Sequence, residues 1–260
     1  MLIQAFSYAN VMPLYGILHL FITSRSRGRS SIVRLSDPVR LLAVIPALIP
    51  GFFLVAVLAS LPFQGTFLGS ILDTSFRCFP ILVAFWQFLA TKAVRRLAVG
   101  QYQDYTEAER DTVALGHVYD FTRSIAVLAQ GIPIGVIAVA RFFPGSLFDG
   151  VAEKLTFANV FLPSLLHAEE PWASAAKTMH DFFIYNQLIG STAAIVWAAT
   201  LFHLERSASP SKRKVTEVVM SITREVALGG PAGALIWLLR ERDEEVLGAE
   251  LAHIKPEKLT

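Results

Sequence analysis

The 22-residue run 181–202 contains a single charged side chain, Asp181 at its first position. A bilayer core requires about 20 mostly apolar residues in helical form, so the run is long enough to cross it. Its first half nevertheless contains polar side chains, among them Tyr185, Asn186 and Gln187. Polar groups in lipid usually face a bundle interior or a cavity, because their desolvation costs free energy. The sequence therefore predicts a membrane helix with a polar head and an apolar tail.

The composition favours a membrane protein. Hydrophobic residues make up 53% of the 260-residue chain and charged residues only 17%, whereas a soluble domain carries about 25% charge. A net charge of +2, without a concentrated basic patch with interleaved aromatic residues, argues against nucleic acid as a partner. The single cysteine, Cys78, excludes an internal disulfide and a cysteine-rich metal site. The apolar N-terminus lacks a preceding basic region, which favours a retained first span over a removed signal peptide.

The excess of apolar residues and the clustering of charges predict an all-α, polytopic bundle of transmembrane helices. The six predicted spans are 2–23, 41–63, 78–97, 114–143, 181–204 and 215–239. Basic residues concentrate in the loops after the first, third and fifth spans, and the positive-inside rule places these loops in the cytoplasm. The apolar segment 155–166 is too short to span and is predicted to be half-inserted, although counting it as a span gives seven. We expect a single transmembrane domain over 1–260.

Asp181 is the first candidate catalytic residue. Tyr185 follows four residues later and shares its helix face, whereas Asn186 and Trp197 belong to a neighbouring face. A low-dielectric boundary favours the neutral form of a carboxyl group, and a protonated acid can act as a general acid. The structural alternative is that Asp181 is the N-cap of its helix, a position that aspartate favours.

His117, Asp120 and Arg123, with Tyr119 beside them, form a second candidate group in the fourth span. Steps of three place them on adjoining faces of one helix. The functional interpretation is that His117 and Arg123 tune Asp120 as an acid. The structural interpretation is an ion pair at the cytoplasmic edge of the membrane.

A third charged group, Glu217, Arg224 and Glu225, lies in the last predicted span. Gating or proton supply is one interpretation, and an amphipathic turn at the interface is the other. Tryptophans inside spans, such as Trp86 and Trp237, can stabilise a passing carbocation through cation–π attraction, with lipid packing as the alternative.

Motifs of common cofactor and metal enzymes are absent: there is no GxGxxG, P-loop, HExxH, GxSxG or Asp-rich box. Enzymes that ionise a prenyl diphosphate need several carboxylates to hold magnesium ions against it. This chain has only scattered acids. An isoprenoid substrate would therefore have to be activated by protonation.

Fragments of five predicted spans resemble a known family. They are MPLYGILHLFITS, IPALIPGFFLVAVLASLP, FPILVAFWQF, DTVALGHVYDF and HDFFIYNQLIGSTAAIVW, in chain order. This series is similar to the small integral-membrane terpene cyclases of fungal meroterpenoid and indole-diterpene pathways. One difference is that the second span has no acid, whereas relatives carry one in an early helix.

The resemblance implies an enzyme of the isomerase or lyase type, without a metal or a redox cofactor. A buried acid protonates the terminal epoxide of a prenyl chain attached to an aromatic or polyketide head, and the cation moves along the chain as rings close. By position, Asp181 is the best match for that acid and Asp120 the second. We expect polar and aromatic side chains to bind the substrate: His19, Trp86, Gln87, His117, Tyr119, Tyr185, Asn186 and Trp197.

The resemblance also implies a multi-pass protein of the endoplasmic reticulum. Its partners would be the lipid bilayer, a hydrophobic prenylated small molecule and pathway enzymes in the same membrane.

Two other functions remain open. A sterol-type double-bond isomerase would need two acids at one depth of one pocket, yet Asp181 and Asp120 are predicted near opposite membrane faces. A non-catalytic transporter or scaffold is the other. Transporters favour internal repeats with broken helices in corresponding positions, and this sequence has Pro/Gly breaks in its second, fourth and sixth spans but no repeat.

Overall fold

A computed structural model describes residues 7–25, 35–63, 65–97, 105–143, 145, 150–162, 175–206 and 214–254. These residues form helices and connecting turns without any strand, so the predicted all-α class is confirmed for them. In chain order the helices are α1 (Tyr8–Arg25), α2 (Pro38–Leu42), α3 (Val44–Leu48), a π-helix (Ile49–Phe53), α4 (Leu54–Ala59), α5 (Phe67–Arg77), α6 (Phe79–Leu97), α7 (Glu107–Phe142), α8 (Phe157–Phe161), α9 (Ala175–Arg206) and α10 (Val215–Ile254).

Three segments of the described chain are long and apolar enough to cross a membrane. They are Pro38–Ala59, Glu107–Phe142 and Lys177–Leu204. A fourth is present if α5 and α6, which are bent by 76° relative to each other, form one broken span. By length and composition the described helices therefore provide three or four spans, fewer than the six or seven predicted from the sequence.

The predicted first and last spans correspond to α1 and α10, which are not among the segments that qualify. α1 has 18 residues and includes Asn10, His19 and Arg25. α10 includes Arg224 and Glu225 directly before a stretch of small, weakly hydrophobic residues. Residues 2–6 of the predicted first span lie outside the described chain, as do residues 163–166 of the segment predicted to be half-inserted.

Several helices extend beyond the predicted spans. α7 begins at Glu107 rather than at 114 because Thr106 and Glu109 form a capping box. Thr106 Oγ1 accepts from the Glu109 N–H at 3.3 Å, and Glu109 Oε2 accepts from the Thr106 N–H at 2.8 Å. α9 likewise begins at Ala175 and α10 continues to Ile254. Apolar content marks the part of a helix that suits lipid, whereas capping and backbone hydrogen bonding decide where the helix ends.

The chain divides into two compact units. The first unit comprises Met1–Arg27 and Thr122–Asp243, and the second comprises Gly28–Phe121 and Glu244–Thr260. α7 and α10 each contribute residues to both units. The single transmembrane domain over the whole chain stays a prediction.

The first unit contains the parallel packing of α1 against α9. Tyr8 lies against Gly190 and Gly16 against Trp197, so residue numbers rise in the same direction along both helices. A Cβ atom at Gly190 would overlap the Tyr8 ring, which makes glycine necessary for this close approach. A buried apolar cluster in the same unit joins α9 to α10 through Phe202 and Trp237.

Two of the three predicted Pro/Gly breaks interrupt the regular α-helix. In the second predicted span, Pro50 and Gly51 lie in the π-helix, where a Cβ at Gly51 would come within 2.8 Å of the Val83 Cα atom. In α10, Gly229 and Gly230 depart from helical dihedral angles directly before a proline. α7, in contrast, continues without interruption through its proline.

Candidate active site

Asp181 lies inside α9, six residues after the first residue of the helix, Ala175. The interpretation of Asp181 as the N-cap is therefore wrong, because the helix starts more than one turn earlier. Its side chain is only 17% exposed, and Oδ1 lies 3.7 Å from His180 Nδ1. A shielded carboxyl group beside an imidazole can exchange a proton, provided that a substrate reaches it.

The polar head of α9 has partners in α1 and within α9 itself. Asn186 Oδ1 accepts a hydrogen bond of 2.8 Å from the Ala9 N–H, which belongs to the first turn of α1. The amides of a first helical turn have no partner within their own helix, so Asn186 caps α1 from a neighbouring helix. Gln187 Nε2 donates to the buried Ser191 Oγ at 3.0 Å. The Asn186 oxygen, predicted to bind substrate, is thus engaged in holding α1 against α9.

An aromatic cluster formed by Tyr15, His19 and Trp197 lies further along the same two helices. The ring centroids of His19 and Trp197 are 5.3 Å apart at an interplanar angle of 88°, and Tyr15 lies 5.6 Å from Trp197. Trp197 Nε1 donates to His19 Nδ1 at 3.3 Å. Because an indole nitrogen is only a donor, this bond requires His19 Nδ1 without a proton. The structure therefore brings together two residues, His19 and Trp197, that were both predicted to bind substrate.

Asp181 and the aromatic cluster occupy different ends of α9. Sixteen residues separate Asp181 from Trp197, which corresponds to a rise of about 24 Å along a helix. The cluster therefore does not lie beside an atom that Asp181 protonates. Tyr185, in contrast, lies only one helical turn from Asp181 and on the same face of α9.

Arg123 and Glu225 form an ion pair in the first unit, in which the carboxylate is buried and the Arg123 side chain is 42% exposed. Arg123 Nε and Nη2 donate to the two Glu225 carboxylate oxygens at 2.9 and 3.1 Å, and Arg224 Nη2 donates to Oε1 at 3.1 Å. The Glu225 side chain is 1% exposed. Two guanidinium groups stabilise its ionised form, which makes Glu225 a poor proton donor.

This pair could not be predicted from spacing along one helix. That spacing groups Arg123 with Asp120, and Glu225 with Arg224 and Glu217. Arg123 and Glu225 do carry opposite charges and fall in two different predicted spans, and an intramembrane charge usually has a partner. That rule is the signal that would have connected the two groups, although it does not say which residues meet.

Two of the predicted substrate-binding residues, Trp86 and Gln87, lie on α6 in the second unit. Trp86 is partly exposed and lies edge-on to Phe85, with 5.7 Å between ring centroids. Gln87 Nε2 donates to the Arg40 carbonyl oxygen at 3.4 Å, which ties α2 to α6. Both contacts are compatible with packing, and the roles of Trp86 and Gln87 in substrate binding stay predictions.

The predicted residues of α7 differ in exposure. His117 and Asp120 are exposed, and Tyr119 is partly buried. Arg123 follows on the same helix but belongs to the first unit, where Glu225 is its partner. Arg123 is thus a member of an ion pair with a residue of another helix, and both interpretations of the group His117, Asp120 and Arg123 stay predictions.

An open cavity of about 320 Å³ lies in the second unit between α4 and α5. Leu58, Phe63, Ser70 and Asp73 are among the residues that line it, and none of the predicted site residues does so. Within the described parts of the chain, no group of three or more His, Cys, Asp or Glu side chains is arranged to hold a metal ion.

Comparison with known proteins places the chain in a family. No curated protein and no solved structure matches it. The sequence pattern of the CtvD domain matches residues 1–247, and this range includes every predicted site residue. The chain belongs to the CtvD domain family, a fungal meroterpenoid-pathway family.

Proposed function

We propose that this chain is a membrane-bound terpene cyclase that protonates the terminal epoxide of a prenylated, meroterpenoid-type substrate and directs cationic ring closure. Membership of a meroterpenoid-pathway family supports a role in that biosynthesis. The observation that carries the proposal is the position of Asp181, a carboxyl group largely shielded from solvent within a helix that is apolar enough to span a membrane.

The proposed reaction is an isomerisation. Asp181 gives its proton to the epoxide oxygen, and the bond from that oxygen to the more substituted carbon breaks, leaving a hydroxyl group and a carbocation. The π electrons of a neighbouring alkene form the new carbon–carbon bond of each ring. Loss of a proton from the last cation forms an alkene and replaces the proton that Asp181 donated. The product therefore has the same mass as the substrate.

The aromatic cluster of Tyr15, His19 and Trp197 has a different place in this proposal. The rise from Asp181 to Trp197 is about 24 Å, which is longer than an extended farnesyl chain. The cluster would therefore contact the head group of the substrate, away from the carbocations that form on the prenyl chain.

The proposal places α1 inside the membrane together with α9. α9 contains a segment apolar enough to span, and α1 packs along it from Gly190 to Trp197. Exposed apolar side chains on α1, such as Leu14 and Ile17, suit contact with lipid. In this proposal the chain crosses the membrane of the endoplasmic reticulum six times. The other enzymes of the pathway lie in the same membrane.

The test is a product assay on membranes that contain the full chain. The membranes are incubated with an aromatic compound that carries an epoxyfarnesyl chain, and the products are separated by chromatography with mass detection. A cyclised isomer of equal mass is expected. Conversion no greater than in membranes without the protein would contradict the proposal.

A second substrate separates cyclisation from double-bond isomerisation. The same aromatic compound with an unepoxidised farnesyl chain has no epoxide oxygen to accept a proton. A cyclase of the proposed type leaves it unchanged, whereas a double-bond isomerase acts on its alkenes. If the unepoxidised compound is converted and the epoxidised compound is not, the result favours the isomerase.

A further inference from the structure

A cluster of basic side chains occupies one end of α6 in the second unit. We define this basic surface by Arg40 of α2 and by Lys92, Arg95 and Arg96 of α6, which are all exposed. Asp37 is the acid in contact with it, so these five residues together carry a charge of +3. A concentration of positive charge at the end of a candidate span is suited to an anionic ligand.

Asp37 holds arginines from two helices side by side. Its Oδ2 atom accepts from Arg95 Nη2 at 2.5 Å and lies 3.3 Å from Arg40 Nε. Its Oδ1 atom caps α2 by accepting from the backbone N–H of Val39 at 3.1 Å. A guanidinium group has five N–H donors, so one contact with Asp37 leaves each arginine able to bind a further anion. The carboxylate therefore pre-arranges two guanidinium groups on one surface.

An apolar face of α6 continues directly into the basic surface. At 100° per residue, Phe85, Phe88, Lys92 and Arg96 lie on one face of the helix. Both phenylalanines are exposed, and the Lys92 amino group lies 4.1 Å from the centroid of the Phe88 ring. The apolar side chains precede the cations along this helix face. A phospholipid has the same arrangement, with its acyl chains beside its charged headgroup.

We propose that the basic surface and this apolar face form a binding site for an anionic phospholipid. The headgroup phosphate is bound by Lys92, Arg95 and Arg40, and an acyl chain lies along Phe85 and Phe88. A soluble phosphate would use only the basic half of this surface. The continuous exposed apolar face favours a lipid as the occupant.

The experiment measures lipid binding to the full chain in a mild detergent. Phosphatidylserine or phosphatidylcholine with identical acyl chains is titrated, and bound lipid is counted by native mass spectrometry. Phosphatidylserine is expected to bind at least about tenfold more tightly, since each basic residue near an anionic headgroup contributes roughly fivefold. Equal affinity for the two lipids would overturn the proposal.

The test variant is Lys92→Gln combined with Arg96→Gln, which leaves the contact between Asp37 and Arg95 in place. Its affinity for phosphatidylserine should fall by about thirtyfold, and its affinity for phosphatidylcholine should fall by much less, because that headgroup shares the phosphate but has no net charge. The matched control is Arg77→Gln, because Arg77 is an exposed arginine of the same unit that pairs with Asp73. Loss of binding in the control, or full binding by the test variant, would contradict the assignment.

Two further measurements use the unaltered chain and so do not depend on the folding of a variant. Raising the sodium chloride concentration from 50 to about 500 mM should weaken phosphatidylserine binding, because exposed charges are screened. Binding that is indifferent to salt would count against the site. Millimolar inorganic phosphate should not displace the lipid, and displacement would show that the site takes a soluble anion instead.

Discussion

Arg123 and Glu225 are separated by 102 positions in the sequence, yet both carboxylate oxygens of Glu225 accept from the Arg123 guanidinium group, at 2.9 and 3.1 Å. Charge-assisted pairs with two parallel hydrogen bonds are among the stronger polar contacts in proteins. Because Glu225 is almost fully buried, the pair also fixes which faces of α7 and α10 meet within the first unit.

Replacing Arg123 with leucine should destabilise the protein. Removing one partner of a buried ion pair leaves an uncompensated charge, and the cost is about 3 kcal/mol, the lower end of the usual range because Arg224 also contacts Glu225. Unfolding is followed by circular dichroism in detergent. The control Arg224→Gln should cost less than about 1 kcal/mol, since that side chain is 63% exposed. If both variants lose the same free energy of unfolding, the two hydrogen bonds from Arg123 contribute no more to stability than the contact of Arg224.

Gly190→Ala should loosen the contact between α1 and α9. The added methyl group overlaps the Tyr8 ring, and over-packing of this kind costs about 1–3 kcal/mol. Gly131→Ala in α7 is the matched control, because no atom lies within 4 Å of its added Cβ. That control should be neutral or stabilising by up to about 1 kcal/mol. Thermal unfolding midpoints that fall by the same amount in both variants would argue against the close packing.

Gly230→Ala should destabilise the bend in α10 even without a clash. The residue has φ +61° and ψ −162°, a region that only glycine adopts readily, at a cost of about 1–3 kcal/mol for other residues. Its Cβ would also lie 2.8 Å from Gln130 Oε1. Adding Gln130→Ala removes that contact and leaves the backbone strain. Chemical denaturation of the single and double variants separates the two effects, and full recovery in the double variant would show that strain is negligible.

Asp181→Asn should lower the rate of cyclisation by about 10²- to 10⁴-fold, because the amide keeps the shape of the side chain but cannot donate a proton as an acid does. Initial rates are measured with the epoxidised substrate at saturating concentration. Asp120→Asn serves as the comparison and should retain most activity, since Asp120 is exposed. A large loss with Asp120→Asn and none with Asp181→Asn would transfer the catalytic role to Asp120.

The positions of the helices were largely predictable. Predominantly apolar segments located α6, α7, α9 and much of α10, because a long apolar stretch favours helix in lipid. The number of qualifying spans was less predictable. α1 contains His19 and α10 contains Arg224 and Glu225, and neither helix is among the segments that qualify as spans.

The candidate site was predictable only in part. Asp181 and Tyr185 could be predicted to share a helix face, because spacing along one helix is encoded locally. The capping of Ala9 by Asn186 joins residues 177 positions apart, and no local pattern indicates that the first turn of α1 ends beside that amide. The contact between His19 and Trp197 is equally distant in sequence.

The amino-acid sequence alone determined that this chain is helical and apolar enough for a membrane, and it located the acids that chemistry could use. Hydropathy and helical periodicity are properties of a single segment, so they can be recognised in the sequence without a structure. Tertiary structure decided which polar groups meet: Arg123 with Glu225, and Asn186 with the start of α1. These contacts depend on how distant helices rotate and shift against one another, and side-chain shape and backbone approach set that packing only once the chain has folded.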